Sequence, residues 1–389
     1  MKLQLTIALA LCSAAAFAQQ ALYNFNAVTS PQLNADASVT FRYVNPAADS
    51  VKVIGDFTAP EGAEAIPSVL SMTRGSDGVW ETTTPPLAPE LYSYRLEVDG
   101  VATNDPSNVY IARDVTTLSN IFLTDGGYRG LYGINDVPHG TVSHPWYHSD
   151  LLGTDRRLTV YTPADYETSG RNYPVLYLLH GMGGDENAWS ELGRATQILD
   201  NMIASGEVRP MIVVMPNGNV DMPAAPGESH LGLTVPTPQL PHTMEGTYEK
   251  SFPEIVSFID ANYRTRRDKA SRAIAGLSMG GFHSLHISKD YPDMMDYVGL
   301  FSAAVWPFME EAKATYADTE AKLEKQFADA PRLYYIAIGS DDFLYDTNKQ
   351  YRALLDSKGY PYTYIETPGG HMWKNWRHYL VDFLPRLFK

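Results

Sequence analysis

Apolar residues follow two different periods along the chain. Over residues 21–125 short runs alternate in polarity at every second position, at 38–44, 50–54, 79–84, 91–98 and 101–103. That period predicts strands with one buried face. Asp99 and Gly100 supply a hairpin turn between the last two runs, and a stretch rich in Gly and Pro over 55–67 a longer loop. Short strands at this spacing predict a β-sandwich. Residues 126–140 are rich in glycine and turn formers and read as a linker.

From 141 to 389 the pattern changes. Apolar runs at 157–161, 173–179, 211–215, 271–275, 297–301, 333–338 and 362–365 alternate with helical stretches. Several runs are continuous, as strands buried on both faces require. Leu192, Ala195, Leu199, Met202 and Ile203 mark one helical stripe, ending at Gly206. Pro253 is expected to open another helix, with Ile255, Ile259 and Tyr263 on one face. Residues 323–327 and 351–355 belong to later helices. This alternation predicts a mostly parallel sheet covered by helices on both sides. A chain of 389 residues exceeds one compact core, so two domains are expected.

The first 18 residues change the picture of where the protein works. Lys2, an apolar run over 3–17 and the small residues Ala16 and Ala18 form a secretory leader pattern, with cleavage expected after Ala18. That predicts a secreted or periplasmic protein. The single cysteine, Cys12, falls inside this leader, so the processed chain has no disulfide. Beyond the leader no apolar run is long enough to predict a membrane span. The net charge of −15, without a Lys/Arg cluster, excludes a nucleic-acid partner. Neither composition nor pattern speaks to oligomeric state.

Chemistry concentrates at the end of the run 271–275. Gly276, Ser278 and Gly280 form G-x-S-x-G between an apolar strand and a helix beginning at Phe282. Such a turn lifts a serine hydroxyl above the sheet and aims a helix N-terminus at it. A serine hydroxyl needs a base near neutral pH, and the base needs an orienting carboxylate. His371 sits in a glycine loop between the last strand and the last helix, where a base belongs. His283 and His286 lie on the helix after the serine, His378 within the final helix and His180 before a glycine turn. All four are expected to be structural. Asp341, Asp342 and Asp346 all follow the strand 333–338, and position does not separate them as the acid. The backbone N–H of Met279, and that of Met182 in the glycine turn 181–184, are the expected oxyanion donors.

These residues carry a family resemblance. LLHGMGGDENAW at 178–189, RAIAGLSMGG at 272–281, GSDD at 339–342 and GGH at 369–371 resemble the esterase D-like group, above all carbohydrate esterase family one, the feruloyl and acetyl-xylan esterases. The resemblance implies an α/β-hydrolase fold over about residues 138–389. It implies Ser278 as nucleophile, His371 as base, Asp342 as acid, and Met182 and Met279 as the oxyanion hole. No cofactor and no metal are implied. Trp189, Asn217 and Trp306 are expected to contact substrate. The preceding domain resembles the immunoglobulin-like modules of the glycogen-binding type, carbohydrate-binding family forty-eight, through Val79, Trp80 and the run 92–100. Trp80, in an alternating strand, is expected in its core.

The expected function is removal of feruloyl groups from xylan side chains through an acyl-enzyme. Its partners would be feruloylated or acetylated xylan and arabinoxylan oligosaccharides. Acetyl-xylan hydrolysis and hydrolysis of an enterobactin-type siderophore lactone are the alternative activities. A glycan-binding protein with an inactive hydrolase domain is the non-enzymatic one. The Pro-, Gly- and His-rich segment 218–248 is expected to act as a lid or pocket wall that selects the ester.

Overall fold

A computed structural model describes residues 28–233, 235, 237, 242–307 and 311–389. The leader and its cleavage site lie outside the described residues. Contacts divide the chain into two units. One holds most of the sequence up to Ile111 together with residues 120–122. The other holds residues 123–389 together with residues 89–91 and 112–119.

The first unit is a β-sandwich. One sheet has the strand order Gln32–Leu33, Val39–Val44, Val79–Thr83, Thr73–Arg74. The other is built around Val51–Gly55 and Leu91–Val98, which pair antiparallel. Alternation fixes the inward face: Val39, Phe41, Val51, Val53, Tyr92, Tyr94 and Leu96 are all buried. Phe41 centres an aromatic cluster, with ring centroids 4.8 Å from Tyr94 and 5.7 Å from Phe122. Trp80 joins this core, 6% exposed, and its indole N–H donates to the Asn45 carbonyl at 2.8 Å.

The second unit is the α/β-hydrolase. Its strands are β1 (Thr141–Ser143), β2 (Trp146–Ser149), β3 (Thr154–Thr162), β4 (Val175–Leu179), β5 (Ile212–Pro216), β6 (Arg272–Leu277), β7 (Tyr297–Phe301), β8 (Leu333–Gly339) and β9 (Thr363–Thr367). The sheet order is β1-β3-β5-β4-β6-β7-β8-β9, with β2 paired to β3. Pairing is parallel from β5 to β9 and antiparallel around β3. The longer helices are α1 (Ala195–Ala204), α2 (Thr247–Asn262), α3 (Met279–Asp290), α4 (Thr319–Ala328), α5 (Tyr345–Lys358) and α6 (Trp373–Phe383).

The central strands bury every side chain, which explains their continuous apolar runs. Val175, Tyr177 and Leu179 share a core with Phe252, Ile255 and Ile259 of α2. On the other face Phe301 packs against Tyr379 and Phe383 of α6, with centroids 6.0 and 5.5 Å away. Two expectations need correction. Helix α2 begins at Thr247, so Pro253 lies inside it rather than at its start. Buried Tyr248 and Phe252 extend the apolar stripe backwards and outweigh the one hydrogen bond that Pro253 cannot make. Strands β1 and β2 were not expected, because they are short and half exposed and carry no long alternation.

Glu90 fastens α6 within this unit. Its carboxylate pairs with Arg377 at 2.9 Å and with His378 Nε2 at 3.1 Å, and the Glu90 and Arg377 side chains are each 3% exposed. Arg377 also donates to the Leu192 carbonyl at 2.9 Å. Burial acts to raise the Glu90 carboxyl, but the bonds from His378 and Arg377 prevail and hold it below the ordinary carboxylate range. Glu90→Gln leaves Arg377 buried without its counter-charge and is expected to cost about 3 kcal/mol in denaturant unfolding at neutral pH. A depressed carboxyl stabilises the fold above its unfolded pKa and loses that contribution as pH falls through its folded value. The gap between wild type and variant should therefore narrow in acid.

Candidate active site

Strand β6 runs straight into α3, and Ser278 stands between them with φ 54° and ψ −114°. Few side-chain-bearing residues adopt this backbone, and the turn is held by close approaches on all sides. A Cβ on Gly276 would lie 2.4 Å from the Gly280 carbonyl carbon, and one on Gly280 2.4 Å from the Leu179 carbonyl oxygen. The Ser278 N–H donates to the Phe301 carbonyl at 2.9 Å, and the Ser278 carbonyl accepts from Ala304 N–H at 3.1 Å. The serine is thus fixed by its own backbone to the neighbouring strand. Met279 follows as the first residue of α3, where a backbone N–H has no partner inside the helix.

His371 lies on the loop between β9 and α6. Its Nδ1 is 2.9 Å from Asp342 Oδ2 and 3.1 Å from Oδ1. Asp342 is 4% exposed and also accepts from the Leu344 N–H at 2.9 Å. Burial favours its neutral form, but the bonds from His371 and Leu344 outweigh it and keep the carboxyl below its ordinary value. Asp341 instead accepts from Gly369 N–H at 3.2 Å, and Asp346 sits in the first turn of α5. With Nδ1–H committed to Asp342, a neutral His371 carries its lone pair on Nε2. Ser278 and His371 line one cavity of about 260 Å³, together with Gly181 and Met182 of the glycine turn.

The other four candidate histidines are engaged elsewhere in the scaffold. His180 bonds the Gly181 carbonyl through Nδ1 at 2.7 Å and accepts from Gly218 N–H at Nε2 at 2.8 Å. Nδ1 therefore carries the hydrogen, and burial pushes the ring down to about 4, so it is neutral. His283 bonds Glu249 at 2.8 Å in the interior. His286 is buried between Phe282 and Tyr316, each 4.2 Å away between ring centroids. His378 serves Glu90. None of the four lines the cavity.

Three expected substrate contacts lie elsewhere. Trp189 is 1% exposed and donates to the Leu179 carbonyl at 2.9 Å. Asn217 is 2% exposed and donates to Glu186 at 2.9 Å. Both are committed to the scaffold. Trp306 is exposed, packs edge-on against Tyr351 and lies outside the cavity lining. The lining contains no described residue of 218–248. Its walls come from residues that sequence reasoning passed over: Arg113, Asp114, Val115, Phe343, Trp373 and Trp376. Trp373 and Trp376 were within reach, since they follow His371 by two and five positions. Nothing in the sequence ties 113–115 to a serine more than 160 positions away.

A serine held at a strained strand-to-helix turn and an imidazole oriented by a carboxylate line one cavity, an arrangement suited to attack on a carbonyl carbon. Comparison with known proteins supplies the family. Residues 149–387 match the putative esterase family, and residues 25–111 match carbohydrate-binding module 48, the isoamylase N-terminal domain. The chain is 29% identical over 365 residues to an endo-1,4-beta-xylanase/feruloyl esterase of Xylanibacter ruminicola, covering 92% of this chain and 46% of that one. It is 27% identical over 331 residues to an esterase of Mycobacterium tuberculosis, covering 73% of this chain and 66% of that one. The chain thus matches less than two thirds of the length of these relatives. Among solved structures, a ferulic acid esterase is 29% identical with a TM-score of 0.51, over 64% of this chain and 97% of that one. The enterobactin esterase of Shigella flexneri shares the fold, with a TM-score of 0.62 at 15% identity, over 90% of this chain and 92% of that one. Since the first match spans well over half of the sequence, the chain belongs to the putative esterase family, its α/β-hydrolase domain preceded by a module of carbohydrate-binding family 48.

Proposed function

We propose that this protein is a serine carboxylic-ester hydrolase that releases feruloyl or related hydroxycinnamoyl groups from xylan side chains. The observation that carries the reading is the His371–Asp342 bond, made behind the cavity that His371 and Ser278 line together. His371 takes the Ser278 proton through Nε2 as the hydroxyl attacks the ester carbonyl. Asp342 holds the ring and stabilises the imidazolium that forms. The N–H groups of Met279 and Met182 receive the developing oxyanion. His371 then gives its proton to the leaving sugar oxygen, and a feruloyl ester on Ser278 remains. Water, deprotonated by His371, attacks that ester, and ferulate leaves as Ser278 regains its proton.

The aromatic walls of the cavity, Phe343, Trp373 and Trp376, suit a planar acyl group better than an acetyl group. The resemblance to a xylanase/feruloyl esterase and to a ferulic acid esterase supports the same acyl class. A siderophore lactone fits less well. The cavity presents the carboxylates of Asp114 and Glu191, while its cation Arg113 is paired with Asp185. An anionic ligand would meet net negative charge there. Polymeric xylan is met outside the cell, so the reading also includes export by the N-terminal leader.

Purified protein should hydrolyse methyl ferulate, followed by loss of the ester chromophore, and Ser278→Ala should reduce kcat by at least about 10⁴-fold. Absence of ferulate release by the wild type, with acetylated xylan hydrolysed instead, would give the acyl group to acetate. Asp342→Asn keeps the shape but removes the charge that orients His371. It is expected to lower kcat by about 10³–10⁴-fold with a much smaller change in KM and a native circular dichroism spectrum.

A further inference from the structure

Arg113, Asp114 and Val115 form one wall of the cavity that contains Ser278 and His371, yet no step above uses them. Their placement is strained. Val115, branched at Cβ, has φ 52°, a backbone that such residues avoid. Arg113 holds the bend by donating from Nη1 to the Val115 carbonyl at 2.7 Å, and it pairs through Nη2 with the buried carboxylate of Asp185. The Val115 methyls press on the glycine turn: a Cβ on Gly183 would lie 2.6 Å from Val115 Cγ1. Residues 113 and 115 are therefore locked to the turn that carries Met182, and Asp114 is presented to the cavity between them.

Asp114 is exposed within the cavity. Desolvation by the surrounding walls raises its carboxyl above the ordinary value, against the pull of Trp373, Arg113 and His371. The same cavity is lined by Trp376, which is 6% exposed and whose indole N–H is buried without a partner. A carboxylate set among the apolar walls of Val115, Phe343, Trp373 and Trp376 matches a ligand that carries a hydroxyl group.

We propose that Asp114 is a specificity-determining residue that accepts a hydrogen bond from a hydroxyl of the bound ester. The proposal rests on the ester-hydrolase reading above. A feruloylated sugar offers this hydroxyl in two places, on the phenol of the acyl group and on the sugar of the leaving alcohol. In either place the bond is charge-assisted, and a substrate lacking the hydroxyl forgoes it.

The test compares kcat/KM for wild type, Asp114→Asn and Asp114→Ala on methyl ferulate, methyl 3,4-dimethoxycinnamate and a feruloylated arabino-oligosaccharide. The dimethoxy ester has a methyl group in place of the phenolic proton. In the wild type, ferulate over dimethoxycinnamate or oligosaccharide over methyl ferulate should be preferred by about tenfold or more. That preference should fall to within about twofold in Asp114→Ala and by a smaller factor in Asp114→Asn, whose amide oxygen still accepts but carries no charge. Collapse of the first ratio places the bond on the phenol, and collapse of the second places it on the sugar. Unchanged ratios in Asp114→Ala, whether activity is full or uniformly reduced, overturn the proposal and leave the esterase reading standing. A wild type that hydrolyses none of the three esters, while cleaving acetylated xylan, overturns the feruloyl reading and the proposal together.

Discussion

The contact on which the catalytic domain depends is the meeting of two backbones at Gly276 and Gly280. There β6 ends and α3 begins with no room for a side chain on either glycine. This one approach sets the position of Ser278, the direction of α3 and the packing of Gly280 on the end of β4. The parallel pairing of β6 with β4 and β7 makes the geometry rigid, because each neighbour is itself buried on both faces. The glycine turn after β4 and the aspartate after β8 then fall at the same edge of the sheet, where ligands of open α/β sheets are met. The site is a consequence of strand order before it is a consequence of side chains.

The polar groups around this edge are held in defined states. His180 is neutral with its hydrogen on Nδ1, because one neighbour accepts and the other donates. Asp342 is ionised in the interior because His371 and the Leu344 N–H bind its oxygens. Glu90 is ionised because Arg377 and His378 do the same. For both carboxylates burial would favour the neutral form, and specific donors reverse it.

Much of this was legible from sequence where periodicity or local chemistry carried the signal. The seven expected strands of the catalytic domain are present with ends shifted by up to three residues, since continuous apolar runs leave little else for those segments to be. The nucleophile turn was readable because its glycines are forced by geometry. Asp342 was not separable from Asp341 by position, and only the family pattern favoured it. The structure places its carboxylate on His371 and places Asp341 on a backbone N–H instead. The substrate contacts were less legible. Trp189 and Asn217 stand in distinctive motifs, but these residues serve the scaffold through bonds to Leu179 and Glu186. The wall at 113–115 gave no signal, because packing across a long sequence separation leaves no period.

Those same residues bear on what counts as a module. The family-48 match stops at Ile111, and the next eight residues belong by their contacts to the catalytic unit, as do residues 89–91. The border between the two folds is thus not a cut point in the chain. An esterase excised at residue 141 would lack Glu90, the counter-charge of α6, and Asp114, part of its own cavity. The catalytic unit is thus assembled from three separate stretches of chain, and two of them lie ahead of its first strand.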